Sequence, residues 1–282
     1  MAKKLYFCAH NLTNTIMDTA LMRWMLVGQD VLLFIVPALI IARCKSKQPL
    51  RWMGMYGCPE SGIKKQESRV KVPDVLLAVV VMLVAQPAIN LIASLNEMLT
   101  LPTALGGMEA WMKGMEEANA ATTRLLINTQ APGAVIANIL IIGVLAALSE
   151  EILFRGAIQG LFATWGKKGA PAYQMSHAAI WAAAILFSAL HLQFYGFIPR
   201  MLMGAMFSYV FVWSGTLWLP VLMHAVNNTM VVVVSAIWSE DDVVSTAMEA
   251  FGRGDTWYVG VISLVLVVAV LYWMHRRLTQ QK

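Results

Sequence analysis

Charged residues are scarce in this chain of 282 residues. Only 13% of the residues are Asp, Glu, Lys or Arg, about half of the usual share in soluble domains, whereas 59% are hydrophobic. A chain so rich in apolar side chains does not belong to the disordered class. Three cysteines are too few to crosslink a small secreted scaffold. The composition predicts an integral membrane protein that contacts the lipid bilayer and binds no nucleic acid.

Seven long apolar runs alternate with polar loops. A helix needs about 20 apolar residues to cross a hydrocarbon core of about 30 Å, and it satisfies its own backbone hydrogen bonds in lipid. We predict an all-α polytopic membrane helix bundle with about seven transmembrane helices, or eight if the region 98–132 adds one. The predicted spans are residues 17–43, 74–97, 133–163, 176–195, 197–214, 216–238 and 256–275.

Basic and acidic loops alternate along the predicted topology. Lys and Arg gather in residues 43–71 and at the C-terminus, whereas loops such as 240–255 are acidic. Because positively charged loops are retained in the cytoplasm, we predict an N-out, C-in protein of a bacterial inner (cytoplasmic) membrane. Cys44 and Cys58 then face a reducing compartment and Cys8 lies alone on the other side, so we expect no structural disulfide.

Residues 98–132 are too polar to span a membrane, but they carry an apolar stripe. Met108, Trp111, Met112 and Met115 recur at i, i+3, i+4 and i+7, a spacing typical of an amphipathic helix at the membrane interface. We predict an interfacial helix here, which either packs on the bundle or covers an entrance to it.

Three predicted spans contain polar side chains that lipid disfavours. A charged group deep in a span costs about 3 kcal/mol on insertion scales, so it usually faces a protein interior. In each of these spans a polar residue lies one helical turn from a second residue, which is polar in two spans and aromatic in the third. The pairs are Glu151 with Arg155, Phe187 with His191, and His224 with Asn228, and Glu150 precedes the first pair. Asp30 in the first span is expected to be structural.

Neighbouring positions in a helix differ by about 100° in direction. We therefore predict that Arg155 neutralises Glu151, whereas Glu150 turns toward His191 and His224. In straight spans the latter three residues spread over roughly 12 Å along the membrane normal. A shared site consequently requires tilted or kinked helices.

The residue types suit peptide hydrolysis. A carboxylate in a pocket of low dielectric constant is a good general base for water, which fits Glu150. His224 and the Asn228 amide offer N–H donors to the oxyanion of a tetrahedral intermediate. Two imidazoles and one carboxylate also make three zinc ligands. One divalent metal such as Zn²⁺, bound by Glu150, His191 and His224, therefore stays open beside a mechanism without a cofactor.

The three motifs together resemble one known family. EExxxR, FxxxH and HxxxN occur in this order within predicted spans, and they resemble the CAAX protease and bacteriocin-processing family of intramembrane proteases, related to type II CAAX prenyl endopeptidases. The resemblance covers about residues 135–235. It implies endopeptidase activity on a membrane-associated protein or peptide, and it does not fix whether the substrate is prenylated.

The resemblance also implies catalytic roles. Glu150 and His191 would activate water, and His224 and Asn228 would stabilise the oxyanion. The supporting residues would be Glu151, Arg155 and Phe187.

Three parts of the chain follow from this assignment. They are residues 1–132 with N-terminal transmembrane helices, a basic cytoplasmic loop and the interfacial segment, residues 133–238 with the catalytic core, and residues 239–282 with an acidic loop and a C-terminal transmembrane helix. The alternative is a noncatalytic membrane protein, such as a transporter or an immunity scaffold, whose buried polar residues hold helices together. The sequence leaves the oligomeric state unknown.

Overall fold

The computed structural model describes residues 19–56, 70–166, 169–238 and 250–280. Within these ranges the chain is helical and contains no strand, which confirms the predicted all-α bundle. The helices are α1 (Thr19–Lys45), α2 (Pro49–Trp52), α3 (Val72–Glu97), α4 (Gly106–Ile127), α5 (Pro132–Ala163), α6 (His177–Leu190), α7 (Phe197–Ser214), α8 (Trp218–Trp238) and α9 (Trp257–Gln280).

Six of the described helices are long and apolar enough to cross a membrane, namely α1, α3, α5, α7, α8 and the segment containing α9. The seventh predicted span, residues 176–195, is only partly helical. Its helix α6 has 14 residues and ends at Leu190. Apolar residues continue beyond that point, so composition could not reveal the turn. The backbone reverses at Leu192, which adopts a left-handed φ of 53°.

Local sequence signals set the ends of several helices. The Ser176 hydroxyl accepts the Ala179 N–H and caps the start of α6, as Ser commonly does. Pro132 occupies the first turn of α5, where its missing N–H costs no helical hydrogen bond. Gly215 ends α7 with a φ of 67°, a left-handed conformation that glycine adopts without steric penalty.

Helix α5 is central to the arrangement, since it packs against α1, α6 and α8. It contains two π-helical segments, Ile139–Leu145 and Ile152–Gln159, and Glu150 and Glu151 lie in the α-helical turn between them. A π segment widens the helix and changes the direction of the side chains that follow. The depths estimated for straight spans therefore do not apply to α5.

The predicted helix within residues 98–132 is present as α4, which is not among the candidate spans. Met108 and Trp111 of its apolar stripe are each 53% exposed. The Trp111 ring lies 5.6 Å from the Phe194 ring, and the Glu116 carboxylate accepts the Tyr195 N–H. Helix α4 therefore contacts the turn that follows α6.

The prediction of no structural disulfide is not tested, because Cys8 and Cys58 lie outside the described residues. Cys44 is exposed. The loop with the acidic residues 240–249 also lies outside them.

Candidate active site

A buried ion pair lies at the centre of the bundle. Arg155 Nη1 is 2.6 Å from Glu151 Oε1, and both side chains are inaccessible to solvent. Arg155 also donates from Nη2 to the Gly204 carbonyl of α7 at 3.1 Å. The pairing expected from the i, i+4 spacing is therefore present, and Arg155 links α5 to α7.

Aromatic rings enclose the Arg155 guanidinium. Its central carbon lies 4.4 Å from the centre of the Phe187 ring and 5.4 Å from that of Phe207. The edge of Phe187 in turn packs on Phe154, with ring centres 5.1 Å apart. Such cation–π contacts are strongest away from water. Phe187 thus supports the ion pair.

Glu150 faces two imidazoles. Its Oε2 atom lies 3.8 Å from His191 Nε2 and 3.8 Å from His224 Nε2. These separations are too long for direct hydrogen bonds. The Oε2 atom is buried and accepts no hydrogen bond from the described part of the chain. Three helices therefore bring one acid and two imidazoles to a common point, as the sequence predicts.

Hydrogen-bond partners determine the tautomer of each histidine. His191 Nδ1 lies 2.7 Å from the Phe187 carbonyl oxygen, and His224 Nδ1 lies 2.9 Å from Glu151 Oε1. Both partners are acceptors, so each Nδ1 carries the proton. A neutral imidazole with this tautomer presents a lone pair at Nε2, whereas an imidazolium presents a second N–H there.

Glu151 has a second contact that the sequence did not predict. Its Oε1 atom accepts hydrogen bonds from Arg155 and from His224 Nδ1. His224 is also stacked on Phe207, with ring centres 5.3 Å apart. Glu151 and its neighbours therefore fix the orientation of one imidazole that faces Glu150. The i, i+4 spacing could reveal only the pairing within α5.

Asn228 lies one turn beyond His224 but contacts other groups. Its Nδ2 atom donates to the Ile142 carbonyl, in the first π segment of α5, at 3.2 Å. Its Oδ1 atom accepts from Asn227, whose own Oδ1 accepts from Gln86 of α3. Among the described contacts of Asn228, none reaches Glu150 or His191. Its proposed contact with an oxyanion stays a prediction.

The backbone at His191 is held by several contacts. The Asn119 amide of α4 donates to the His191 carbonyl at 3.3 Å, and Ser188 donates to the Phe197 carbonyl across the turn. The left-handed φ of Leu192 costs about 1–2 kcal/mol in a residue with a Cβ atom. Strain of this kind persists where the surroundings fix the backbone.

A cavity of about 430 Å³ opens onto Glu150 and His191. Its walls come from α1, α4, α5 and the turn after α6. Asp30 of α1 lies in this wall, and its Oδ1 atom accepts the Ser149 hydroxyl at 3.0 Å. The volume falls within the range of about 300–1,000 Å³ typical of ligand pockets. Asp30, which the sequence predicts to be structural, therefore lies at the cavity.

The zinc site that the sequence left open stays a prediction. Ligand atoms about 2.1 Å from a tetrahedral zinc lie about 3.4 Å apart, whereas both Glu150–imidazole distances are 3.8 Å. Within the described ranges, no group of three or more His, Cys, Asp or Glu side chains is placed to bind a metal ion. We therefore derive no catalytic step through a metal.

These features define a helical integral membrane protein with a buried acid–imidazole site beside a cavity. Residues 132–230 match a family model, "Type II CAAX prenyl endopeptidase Rce1-like", and this segment contains all seven predicted site residues. The match supports assignment of this segment to the CAAX protease family of intramembrane proteases. No curated protein and no solved structure matches the chain.

Proposed function

We propose that this protein is an endopeptidase that hydrolyses a peptide bond of a membrane-associated protein or peptide. One observation carries the proposal: a buried carboxylate oxygen of Glu150 lies 3.8 Å from Nε2 of both His191 and His224. A single water molecule fits between groups at such distances. The adjacent cavity and the protease family of residues 132–230 support it.

The first step is activation of water. A water molecule in this position donates one hydrogen bond to Glu150 Oε2 and another to the Nε2 lone pair of His191. Its own lone pairs then point at the substrate carbonyl carbon. Glu150 takes the proton as the C–O bond forms, and surrounding groups of low polarity favour this transfer.

The second step stabilises the oxyanion of the tetrahedral intermediate. His224 serves here in its doubly protonated form, with Nδ1–H donated to Glu151 and Nε2–H donated to the oxyanion. The Asn228 amide has a second N–H beside the one bonded to Ile142, and we assign it as the other donor. Glu150 then returns its proton to the leaving nitrogen as the C–N bond breaks, so the products are a carboxylic acid and an amine, which become a carboxylate and an ammonium group by proton exchange in water.

A cleavage assay with purified protein tests this function. In liposomes, the protein should cut members of a membrane-peptide library, and water labelled with ¹⁸O should enter the new carboxyl group. His191→Ala should lower kcat/KM by about 100-fold or more, as expected for loss of a group that positions the attacking water. His177 is the matched control because its ring bonds to Tyr209 away from the site. His177→Ala should cut normally, and equal activity of the two variants would remove His191 from the mechanism.

Metal dependence has a separate test. We expect purified protein to contain less than one zinc per chain and to retain cleavage after dialysis against a chelator, because the proposed steps use no metal. Elemental analysis and the same cleavage assay provide the measurement. Activity that disappears with chelation and returns with zinc would establish the alternative metal mechanism.

We further propose that the protein resides in a bacterial inner membrane with its N-terminus outside and its C-terminus in the cytoplasm. The distribution of Lys and Arg supports this orientation. Cys44, exposed near the end of α1, should then react with a thiol reagent only after the membrane is made permeable.

A further inference from the structure

Asp30 is the acidic group of the cavity that the proposed reaction does not use. It is 5% exposed and begins the π segment Asp30–Ile35 of α1. Its hydrogen-bond donor is Ser149, the residue that precedes the proposed base Glu150. Asp30 therefore lies beside the reacting groups, although it comes from a helix outside the residues that match the family.

No cation of the described chain neutralises this carboxylate. The residues that line the cavity include two carboxyl groups, Asp30 and Glu150, and no Lys or Arg. The arginines nearby have other partners. Arg155 binds Glu151, Arg200 binds Gln193, and Arg23 binds Asn138.

One neutral hydroxyl compensates poorly for the burial of a carboxylate. A buried charge is normally paired with an opposite charge or with several hydrogen bonds, and among the described residues Asp30 receives a side-chain hydrogen bond from Ser149 alone. A cationic side chain of the substrate would supply the missing countercharge. The apolar part of the wall, including Leu126, Ile141 and Phe154, suits the aliphatic part of a long side chain.

We infer that Asp30 is a specificity-determining residue, which binds a Lys or Arg side chain of the substrate near the scissile bond. This inference rests on the proposed function, because the cavity is taken as the place where the substrate lies. A peptide with a basic residue next to the cleaved bond would supply the countercharge of Asp30 and place its carbonyl beside Glu150.

The test compares matched peptides in the liposome assay. Mass spectrometry of the library products first identifies a cleaved bond, and each of the two residues on either side is then replaced by Lys, Gln or Glu. At one position, we expect wild-type kcat/KM for Lys to exceed that for Gln by about 30-fold, the size of effect seen when one member of a buried charge pair is lost. The Glu peptide should be the poorest substrate.

Variants of Asp30 then test whether this residue causes the preference for the Lys peptide. Asp30→Asn should reduce the Lys/Gln ratio to near one, whereas Asp30→Glu should retain most of it. Ser149→Ala removes the hydrogen bond but keeps the charge, so it should also retain the ratio. A ratio that stays high in Asp30→Asn would overturn the inference, and thermal unfolding in detergent shows whether each variant is folded.

The outcomes separate this inference from the proposed function. Equal cleavage of the Lys, Gln and Glu peptides by wild-type protein would make Asp30 a structural link between α1 and α5 and leave the protease assignment intact. This comparison uses no variant, so it remains decisive even if Asp30→Asn fails to fold. Failure to cleave any library member would contradict the proposed function itself.

Discussion

Replacement of Glu150 by glutamine should lower kcat/KM by about 10²–10⁴-fold, the usual contribution of a general base. Glutamine has nearly the same shape but cannot take a proton from water. Glu150 Oε2 accepts no hydrogen bond from the described residues, so the substitution removes the base without breaking a hydrogen bond to that atom. Steady-state cleavage of the preferred library peptide measures the effect.

A surface glutamate provides the control for this substitution. Glu109 of α4 pairs with Lys113 at 2.9 Å, and Glu109→Gln should leave cleavage unchanged. Both variants should elute as single species and unfold at the temperature of the wild type. Wild-type rates in Glu150→Gln would mean that another group activates the water, and the mechanism proposed above would then be wrong.

Replacement of Arg155 by methionine should cost about 3–5 kcal/mol in free energy of unfolding. Methionine fills much of the same volume but leaves the Glu151 carboxylate buried without its cation, and the loss of one partner from a buried pair typically has this cost. It also removes the hydrogen bond to Gly204 of α7. Reversible unfolding in mixed detergent micelles measures the difference.

The double variant Glu151→Gln/Arg155→Met tests whether the unpaired charge of Glu151 causes this loss of stability. Without the negative charge, the loss of Arg155 should be less costly, so the double variant should be more stable than Arg155→Met alone. The exposed pair of Lys113 and Glu109 offers the comparison, because Lys113→Met should change stability little. Equal losses of stability in Arg155→Met and Lys113→Met would mean that the buried pair has no special structural role.

Helices and turn-spaced pairs could be predicted from the sequence because both depend on local patterns. The predicted span 133–163 differs from α5 by one residue at its start, and Arg155 binds Glu151 as its spacing indicates. The end of α6 could not be predicted, since Leu192 and Phe194 continue the apolar run while the backbone turns. Neither could the π segments of α5, which residue type alone does not specify.

Contacts between distant parts of the chain account for what the sequence missed at the site. The hydrogen bond from His224 to Glu151 joins residues 73 positions apart, and that from Ser149 to Asp30 joins residues 119 positions apart. Such pairs follow from helix packing, which periodicity does not determine. The same holds for Asn228, whose spacing from His224 suggested a shared task although its amide bonds to Ile142.

The short length of α6 affects how water, the second reactant of a hydrolase, reaches the site. Fourteen residues rise about 21 Å, about 9 Å less than the hydrocarbon thickness. A helix of this length that crosses a bilayer requires thinner lipid beside it or headgroups drawn inward at its end. His191 directly follows the end of α6, so we expect water to reach the site from this side.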